Sequence, residues 1–348
     1  MILVPLLILA FFVSLFGTRW YFSKPEDKLI LDIPNERSSH STPTPRGGGV
    51  VFAAVFLVSM AFFYILLPEN RELWGALLGS GTIVALTGWI DDRRHLSPKV
   101  RLLAQSVAVV WALYCLGGMP ELILTKNITV KLGILGTILA FIGGVWLINL
   151  YNFMDGIDGL AGGQGVFVSL AGAWFFLQNG QATIATSLAL LALSLSGFLC
   201  WNWPPAKVFM GDVGSGFLGI VFFVYALEGE HTGSAPALVW AVLLAPFVID
   251  ATLTLLRRMK RKEKLFQAHR SHVYQLAVRK GHSHQVVTLS FLALDVVLFV
   301  FLVVTDRAMK NPVIPFITVF FVLILLWGML DKRWKHILDN KTTQKAGK

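Results

Sequence analysis

The apolar residues of this chain fall into blocks of about 18–22, the length an α-helix needs to cross a bilayer. The blocks lie near 1–22, 48–67, 73–90, 102–119, 133–150, 161–177, 182–200, 214–228, 236–256, 286–304 and 312–330, about eleven in all (10–11). Those at 161–177 and 214–228 are short and glycine-rich, and so the weakest. Only helices and closed barrels satisfy every backbone group in lipid, and blocks of this length are helical. The pattern predicts an all-α polytopic membrane protein. One transmembrane domain covers 1–330, and a charged cytoplasmic tail, expected to be disordered, covers 331–348. The first block has no basic residue before it and no A-x-A site after it, so it reads as an uncleaved span.

Composition agrees with this reading. Of 348 residues, 55% are hydrophobic and only 14% are charged, far less charge than a soluble chain of that length carries. The net charge is +10, and its distribution orients the chain. With the N-terminus outside, the segments 23–47, 91–101, 151–160, 201–213, 257–285 and 331–348 are cytoplasmic and hold 24 of the 30 Lys and Arg. No basic domain interleaved with aromatic residues is present, which argues against nucleic acid. The run R-R-M-K-R-K-E-K from Arg257 fits contact with an anionic lipid surface. Cys115 and Cys200 lie inside apolar blocks and form no disulfide or zinc spacing.

Every polar stretch with unusual chemistry falls on that one face. The central one is Asn149–Gly163, N-L-Y-N-F-M-D-G-I-D-G-L-A-G-G, directly after an apolar block. It places Asn149, Asn152, Asp155 and Asp158 three residues apart. Three helical residues fall roughly 60° short of a full turn, so neighbours in the series share a face and its two ends do not. Carboxylates near a bilayer are costly and are kept there mainly for function. The glycines between them leave room for a ligand or another backbone.

Four further stretches add to it. Asp91 and Asp92, in G-W-I-D-D-R-R-H-L-S-P-K-V-R, are adjacent carboxylates that repel unless a cation lies beside them. Hard oxygens of this kind suit Mg2+ bridging to phosphate, and Arg101 lies close by in sequence. Loop 23–47 offers the cations Arg37, His40 and Arg46 just before Gly47–Gly49, where backbone can approach a phosphate. In W-N-W-P-P-A-K-V-F-M-G-D-V-G-S-G, Asp212 opens the next block as a ligand or a plain helix cap. Trp203 and Phe209 there are placed to stack on a base or to join an interfacial aromatic belt. Last, H-R-S-H presents His269, Arg270 and His272 as donors to a diphosphate. Carboxylates and cations above a membrane floor point to Mg2+-dependent phosphoryl transfer.

Five stretches together resemble the polyprenyl-phosphate N-acetylhexosamine-1-phosphate transferase family (glycosyltransferase family 4). They are D-I-P-N-E-R-S-S-H-S-T-P-T-P-R-G-G-G, D-D-R-R-H-L-S-P-K-V-R-L-L-A-Q, N-F-M-D-G-I-D-G-L-A-G, N-W-P-P-A-K-V-F-M-G-D-V-G-S and H-R-S-H, in the family's order. The resemblance implies that a cytoplasmic UDP-N-acetylhexosamine gives its sugar-1-phosphate to undecaprenyl phosphate, releasing UMP. It implies Mg2+, with Mn2+ as a substitute, and a multi-pass protein of the bacterial inner membrane. By the same resemblance Asp212 is a metal ligand, with Asp155 beside it. Asp91 or Asp92 acts as base or phosphate-positioning group. Asn152, Asp158, Asn202 and Phe209 line the uridine site, and His269, Arg270, His272 and Arg101 meet the diphosphate. The implied partners are the UDP-sugar, undecaprenyl phosphate and membrane lipid, with homodimerisation left open.

Two departures narrow the branch. The muramoyl-pentapeptide branch carries consecutive histidines late in the chain and a lysine where this chain offers only His40. The forms R-S-S-H…P-x-P-R-G-G-G and N-W-P-P-A-K-V-F resemble instead the branch that starts O-antigen and related surface polysaccharides. The sugar stays open among N-acetylglucosamine, N-acetylfucosamine and N-acetylquinovosamine. Three rival readings are weighed against this. Peptidoglycan precursor transfer is the first. A CDP-alcohol phosphatidyltransferase needs D-G-x-x-A-R, which D-G-L-A-G-G-Q breaks. An ion-coupled transporter needs acids near mid-span, for which Asp250 and Asp295 are the candidates.

Overall fold

A computed structural model describes residues 3–25, 29–34, 42–263, 269–305 and 311–346. Within them the apolar blocks are helical. The helices are α1 (Leu3–Phe22), α2 (Gly49–Leu66), α3 (Arg71–Arg94), α4 (Pro98–Cys115), α5 (Gly133–Phe153), α6 (Leu160–Gln178), α7 (Ala182–Asn202), α8 (Gly211–Thr232), α9 (Ala237–Leu243), α10 (Ala245–Lys260), α11 (Val273–Lys280), α12 (His284–Val304) and α13 (Val313–Ala346). Strand among the described residues is confined to two antiparallel pairs, β1 (Leu31–Asp32) with β2 (Thr44–Pro45) and β3 (Leu122–Thr125) with β4 (Ile128–Val130).

Nine of these helices are long and apolar enough to cross a membrane, and ten if α9 and α10 form one broken span. Those two meet at an angle of 79°. Pro246 sits in the first turn of α10, where it has no N–H to give and crowds the carbonyl four residues back. The block expected at 102–119 is a helix, α4, packed beside α3 and α5. Lys99, Arg101 and Gln105 in its first turns keep it below the apolar threshold for a span.

Burial sorts the bundle into centre and rim. The α8 span is 83% buried, while those of α1, α5, α12 and α13 are between 17% and 28% buried. Leu66, Ile134 and Val304 project from the rim, a surface that suits lipid tails and not water. The block at 214–228, short and glycine-rich in sequence, thus becomes the centre. Its small residues let α2, α3 and α5 close around it, and protein replaces lipid as its solvent.

Connections of three residues join α3 to α4 and α6 to α7, which pack side by side as antiparallel pairs. The turn from α3 to α4 takes three residues: His95 adopts a left-handed conformation (φ +49°), Ser97 Oγ accepts the Val100 N–H, and Pro98 opens α4. Loops therefore collect at two ends. At one end the Phe209 N–H donates to the Pro45 carbonyl (2.8 Å), and Tyr274 OH donates to the Phe153 carbonyl (2.9 Å). At the other, Glu230 is buried and accepts the N–H groups of Ile123 in β3 and Ala237 in α9. The described parts of the loops at 42–47, 91–101, 151–160, 201–213 and 269–285 share one end of the bundle. The tail departs from expectation: α13 continues through residue 330 to Ala346 as helix.

Candidate active site

The site is built where α3 ends, α4 begins, α5 ends and α8 begins. A cavity of about 40 Å³ lies between them, lined by Asp91 of α3, Arg101 and Gln105 of α4, Asn149 and Asn152 of α5, and Asp212 of α8. Four separate stretches of sequence thus meet around one space. Room of this size suits an ion with water and not a nucleotide sugar, whose pocket would be roughly 300 Å³ or more.

Adjacent in sequence, Asp91 and Asp92 part company in space. Asp91 Oδ2 accepts from Arg101 Nη1 (3.1 Å), and its Oδ1 accepts the Leu96 N–H (2.6 Å). Asp92 turns instead to the first turn of α8. It accepts the N–H of Asp212 (3.0 Å) and of Val213 (3.2 Å), and pairs with Arg46 Nε (2.8 Å). A carboxylate at a helix start meets unpaired N–H groups and the positive end of the dipole. Gly88, one turn before Asp92, makes the approach possible. A Cβ there would lie 2.5 Å from the Asp212 carbonyl oxygen. Both aspartates are bonded to protein, but only Asp91 also lines the cavity.

Asp212 carries the densest set of contacts. Its Oδ1 accepts from Arg46 Nη2 (2.6 Å) and Asn152 Nδ2 (2.9 Å), while Arg101 stands 4.0 Å from Oδ2. Asp91 and Asp212 lie on either side of the same guanidinium nitrogen, Arg101 Nη1, at 3.1 and 4.0 Å. Two carboxyls so placed repel when both are ionised and call for a cation or a shared proton. Asn152 Nδ2 reaches Ser215 Oγ as well (3.0 Å), and Asn149 Nδ2 donates to Gln105 Oε1 (2.7 Å). Gln105, not singled out in the sequence, is the polar residue of α4 that orients Asn149.

Arg46 is presented by loop geometry. Its N–H donates to the Ile30 carbonyl (2.8 Å), its carbonyl accepts from Tyr21 OH (2.9 Å), and the next residues pair with Phe209 and Met210. Burial works against its charge, but Asp212, Asp92, Asp32 and Asp155 outweigh that and hold the guanidinium above its ordinary pKa. Arg37 and His40 lie outside the described residues.

The D-G-I-D-G loop divides its labour. Asp155 is half-buried, makes no side-chain hydrogen bond among the described residues and does not line the cavity. The surrounding protein pushes its carboxyl well above the usual range; Arg46 opposes this and Asp212, Asp92 and Asp158 reinforce it. Asp155 is therefore not gathered with Asp212 into a ready cage. Among the described residues, no three His, Cys, Asp or Glu side chains converge as a metal site. Asp158 accepts the Ala206 N–H (3.0 Å) and pairs with His284 Nδ1 (3.2 Å). Asn202 accepts the Gly159 N–H (3.1 Å) and donates to the Val208 carbonyl (2.9 Å). Expected at the uridine, these two side chains tie neighbouring loops together. Phe209 is half-buried and bonded through its backbone to Pro45 and Gly48.

The histidine motif stands apart from the cavity lining. His269 and His272 stack, with ring centroids 4.9 Å apart, and His272 stacks in turn on Tyr274 at 5.7 Å. Ser271 Oγ lies 3.0 Å from His269 Nδ1, and Arg270 is half-buried. His272 is almost fully buried, so any contact with a ligand falls mainly to His269 and Arg270. His284, given no role by the sequence, is the partner of Asp158.

A divalent metal fits the donor set as a site of one or two carboxylates. Mg2+ keeps several waters and needs few protein ligands, so a full cage is not required. The space beside Asp212 and the mutual proximity of Asp91 and Asp212 meet that need.

The chain is similar in sequence to known proteins. The profile of glycosyl transferase family 4 matches residues 74–230, which contain Asp91, Asp92, Asn152, Asp155 and Asp212. A decaprenyl-phosphate N-acetylglucosaminephosphotransferase of Mycobacterium leprae is 31% identical over 76% of this chain and 74% of its own length. A probable undecaprenyl-phosphate N-acetylglucosaminyl 1-phosphate transferase of Bacillus subtilis is 26% identical over 88% and 86%. An undecaprenyl-phosphate alpha-N-acetylglucosaminyl 1-phosphate transferase of Yersinia pestis is 29% identical over 88% and 85%. With helices that cross the membrane many times and polar loops gathered at one end, the chain belongs to glycosyl transferase family 4.

Proposed function

We propose that this protein transfers an N-acetylhexosamine-1-phosphate from a UDP-sugar to undecaprenyl phosphate and releases UMP. The observation that carries the reading is the single cavity in which Asp91, Arg101, Asn152 and Asp212 meet at the end of the bundle. The names of the relatives supply the substrate class, a polyprenyl phosphate and an N-acetylglucosaminyl phosphate group. The bias of Lys and Arg toward the loops of one face supports a cytoplasmic site, and the bacterial relatives support the inner membrane as its location. The loop motifs favour a role at the start of O-antigen or another surface polysaccharide. N-acetylglucosamine and its 6-deoxy relatives, N-acetylfucosamine and N-acetylquinovosamine, are the candidate sugars.

In chemical terms, an oxygen of the lipid phosphate attacks the β-phosphorus of the donor. The bond from that phosphorus to the bridging oxygen breaks, and the bridging oxygen leaves with UMP. Asp91, alone of the aspartate pair in lining the cavity, accepts a proton from the lipid phosphate or fixes its orientation. Arg101, between Asp91 and Asp212, and Arg46, against Asp212, are the cations placed to hold phosphate oxygens. Asp212 is the residue that would hold Mg2+, which when bound neutralises phosphate charge. Asp92 keeps α8, and with it Asp212, in register with α3. The nucleotide lies over the cavity mouth, against the loops braced by Asp158 and Asn202.

The test is purified protein with Mg2+, undecaprenyl phosphate and a panel of UDP-N-acetylhexosamines. UMP release with at least one donor is expected. No release from any donor, where the Bacillus subtilis relative releases UMP under the same conditions, would overturn the reading.

A further inference from the structure

Asp250 lies in α10 and is 3% exposed, inside the region read as membrane-spanning. An unpaired carboxylate there would be costly. It is instead surrounded by donors. Oδ1 accepts the Val273 N–H (2.9 Å), Trp327 Nε1–H (3.1 Å) and Thr254 Oγ–H (3.2 Å), and Oδ2 accepts the Tyr274 N–H (3.3 Å). His272 Nδ1 stands 3.8 Å from Oδ1. Two of these donors are the first N–H groups of α11, so a side chain of α10 caps the helix that follows the histidine motif.

That helix is tied onward to the aspartate loop. Tyr274 OH donates to the Phe153 carbonyl at the end of α5. A Cβ on Gly156 would lie 2.1 Å from the same hydroxyl, so the loop carrying Asp155 rests directly on Tyr274. The first turn of α11 thus joins two parts of the site: the stacked rings of His269 and His272, and the D-G-I-D-G loop.

We infer that Asp250 is a positioning residue for donor binding, clamping the start of α11 so that the histidine motif and the Asp155 loop keep a fixed relation. This rests on the transferase reading for its substrate, but the clamp itself does not. Asp250 touches no reacting group. With Trp327 as one of its donors, it also fixes α13 against the same helix. The same contacts remove Asp250 from any relay of intramembrane acids.

The test compares wild type with Asp250→Ala, Asp250→Asn and Tyr274→Phe. Amide hydrogen exchange at Val273 and Tyr274 is expected to quicken by about tenfold or more in Asp250→Ala. The KM for the UDP-sugar is expected to rise about tenfold while that for undecaprenyl phosphate stays within about twofold. Asp250→Asn, which keeps one acceptor oxygen, is expected to restore part of both. Tyr274→Phe leaves the clamp intact and cuts the link to the loop. It should raise the donor KM without changing exchange at Val273, and it carries the test if Asp250→Ala does not fold. Unchanged exchange at Val273 and Tyr274 in Asp250→Ala, equal rises in both KM values, or a wild-type donor KM in Tyr274→Phe would each overturn the inference. Exchange is read without turnover, so a wild type that uses no UDP-sugar defeats the transferase reading and leaves the clamp to be judged by exchange.

Discussion

Asp92 holds Asp212 by its backbone and not by its side chain: Asp92 Oδ1 accepts the Asp212 N–H at 3.0 Å. The side chain of Asp212 is thereby left to the cavity, where Asp91 lies. One aspartate of the pair supports the site, and its neighbour faces into it.

Removing each should therefore do different damage. Asp92→Ala leaves two helix N–H groups and Arg46 Nε without their acceptor, Arg46 keeping Asp212, a loss of about 3 kcal/mol. Asp91→Ala loses the Leu96 N–H and a partly exposed arginine, about 1 kcal/mol. Thermal unfolding in one detergent compares them. The assignment fails if Asp91→Ala unfolds at the lower temperature.

Asp212→Asn keeps the shape of the side chain and removes its charge. Turnover is expected to fall about 1,000-fold or more, with little change in unfolding temperature. Mn2+ binding, followed by electron paramagnetic resonance on the purified protein, should weaken in parallel. Chelation of divalent ions should silence the wild type, and Mg2+ should restore it. Near-normal turnover in Asp212→Asn would take this residue out of the metal site.

Gly88 and Gly143 offer a paired test of packing. In Gly88→Ala the new methyl meets the backbone of Asp212 and Val213 at 2.5 Å, and neither can swing aside. A loss of about 2 kcal/mol with reduced turnover is expected. Gly143, in the interior of α5, has open space around it, so Gly143→Ala should be neutral or stabilise by about 0.5–1 kcal/mol. Equal behaviour of the two variants, measured by unfolding, would count against the close contact of α3 and α8.

Topology can be read by labelling. With Cys115 and Cys200 replaced by serine, single cysteines at His95 and Lys207 should react with an impermeant maleimide from the same side of sealed vesicles. Cysteines at Gly180 and Thr232 should react from the opposite side. Labelling of His95 and Lys207 positions from different sides would break the single-face site.

The site was legible where a residue's role depends on its chemistry. Acids after an apolar block, arginines beside them and a glycine-flanked aspartate all stood out, and Asp91, Arg46, Arg101, Asn152 and Asp212 do meet. It was not legible where the role depends on what lies across the fold. Asp158 and Asn202 look the same in sequence whether they face a nucleotide or a backbone N–H. Asp250, unexplained in sequence, is accounted for by the first turn of a helix more than twenty residues away.

Chain composition and hydropathy alone determined that this is a helical membrane protein with its polar chemistry on one face, because lipid admits no other use for such long apolar runs. Only the tertiary structure decided which polar residues face the cavity and which hold the walls. Neighbouring side chains on a helix point about 100° apart, so Asp91 and Asp92 were bound to meet different surroundings, and those surroundings are supplied by α4 and α8.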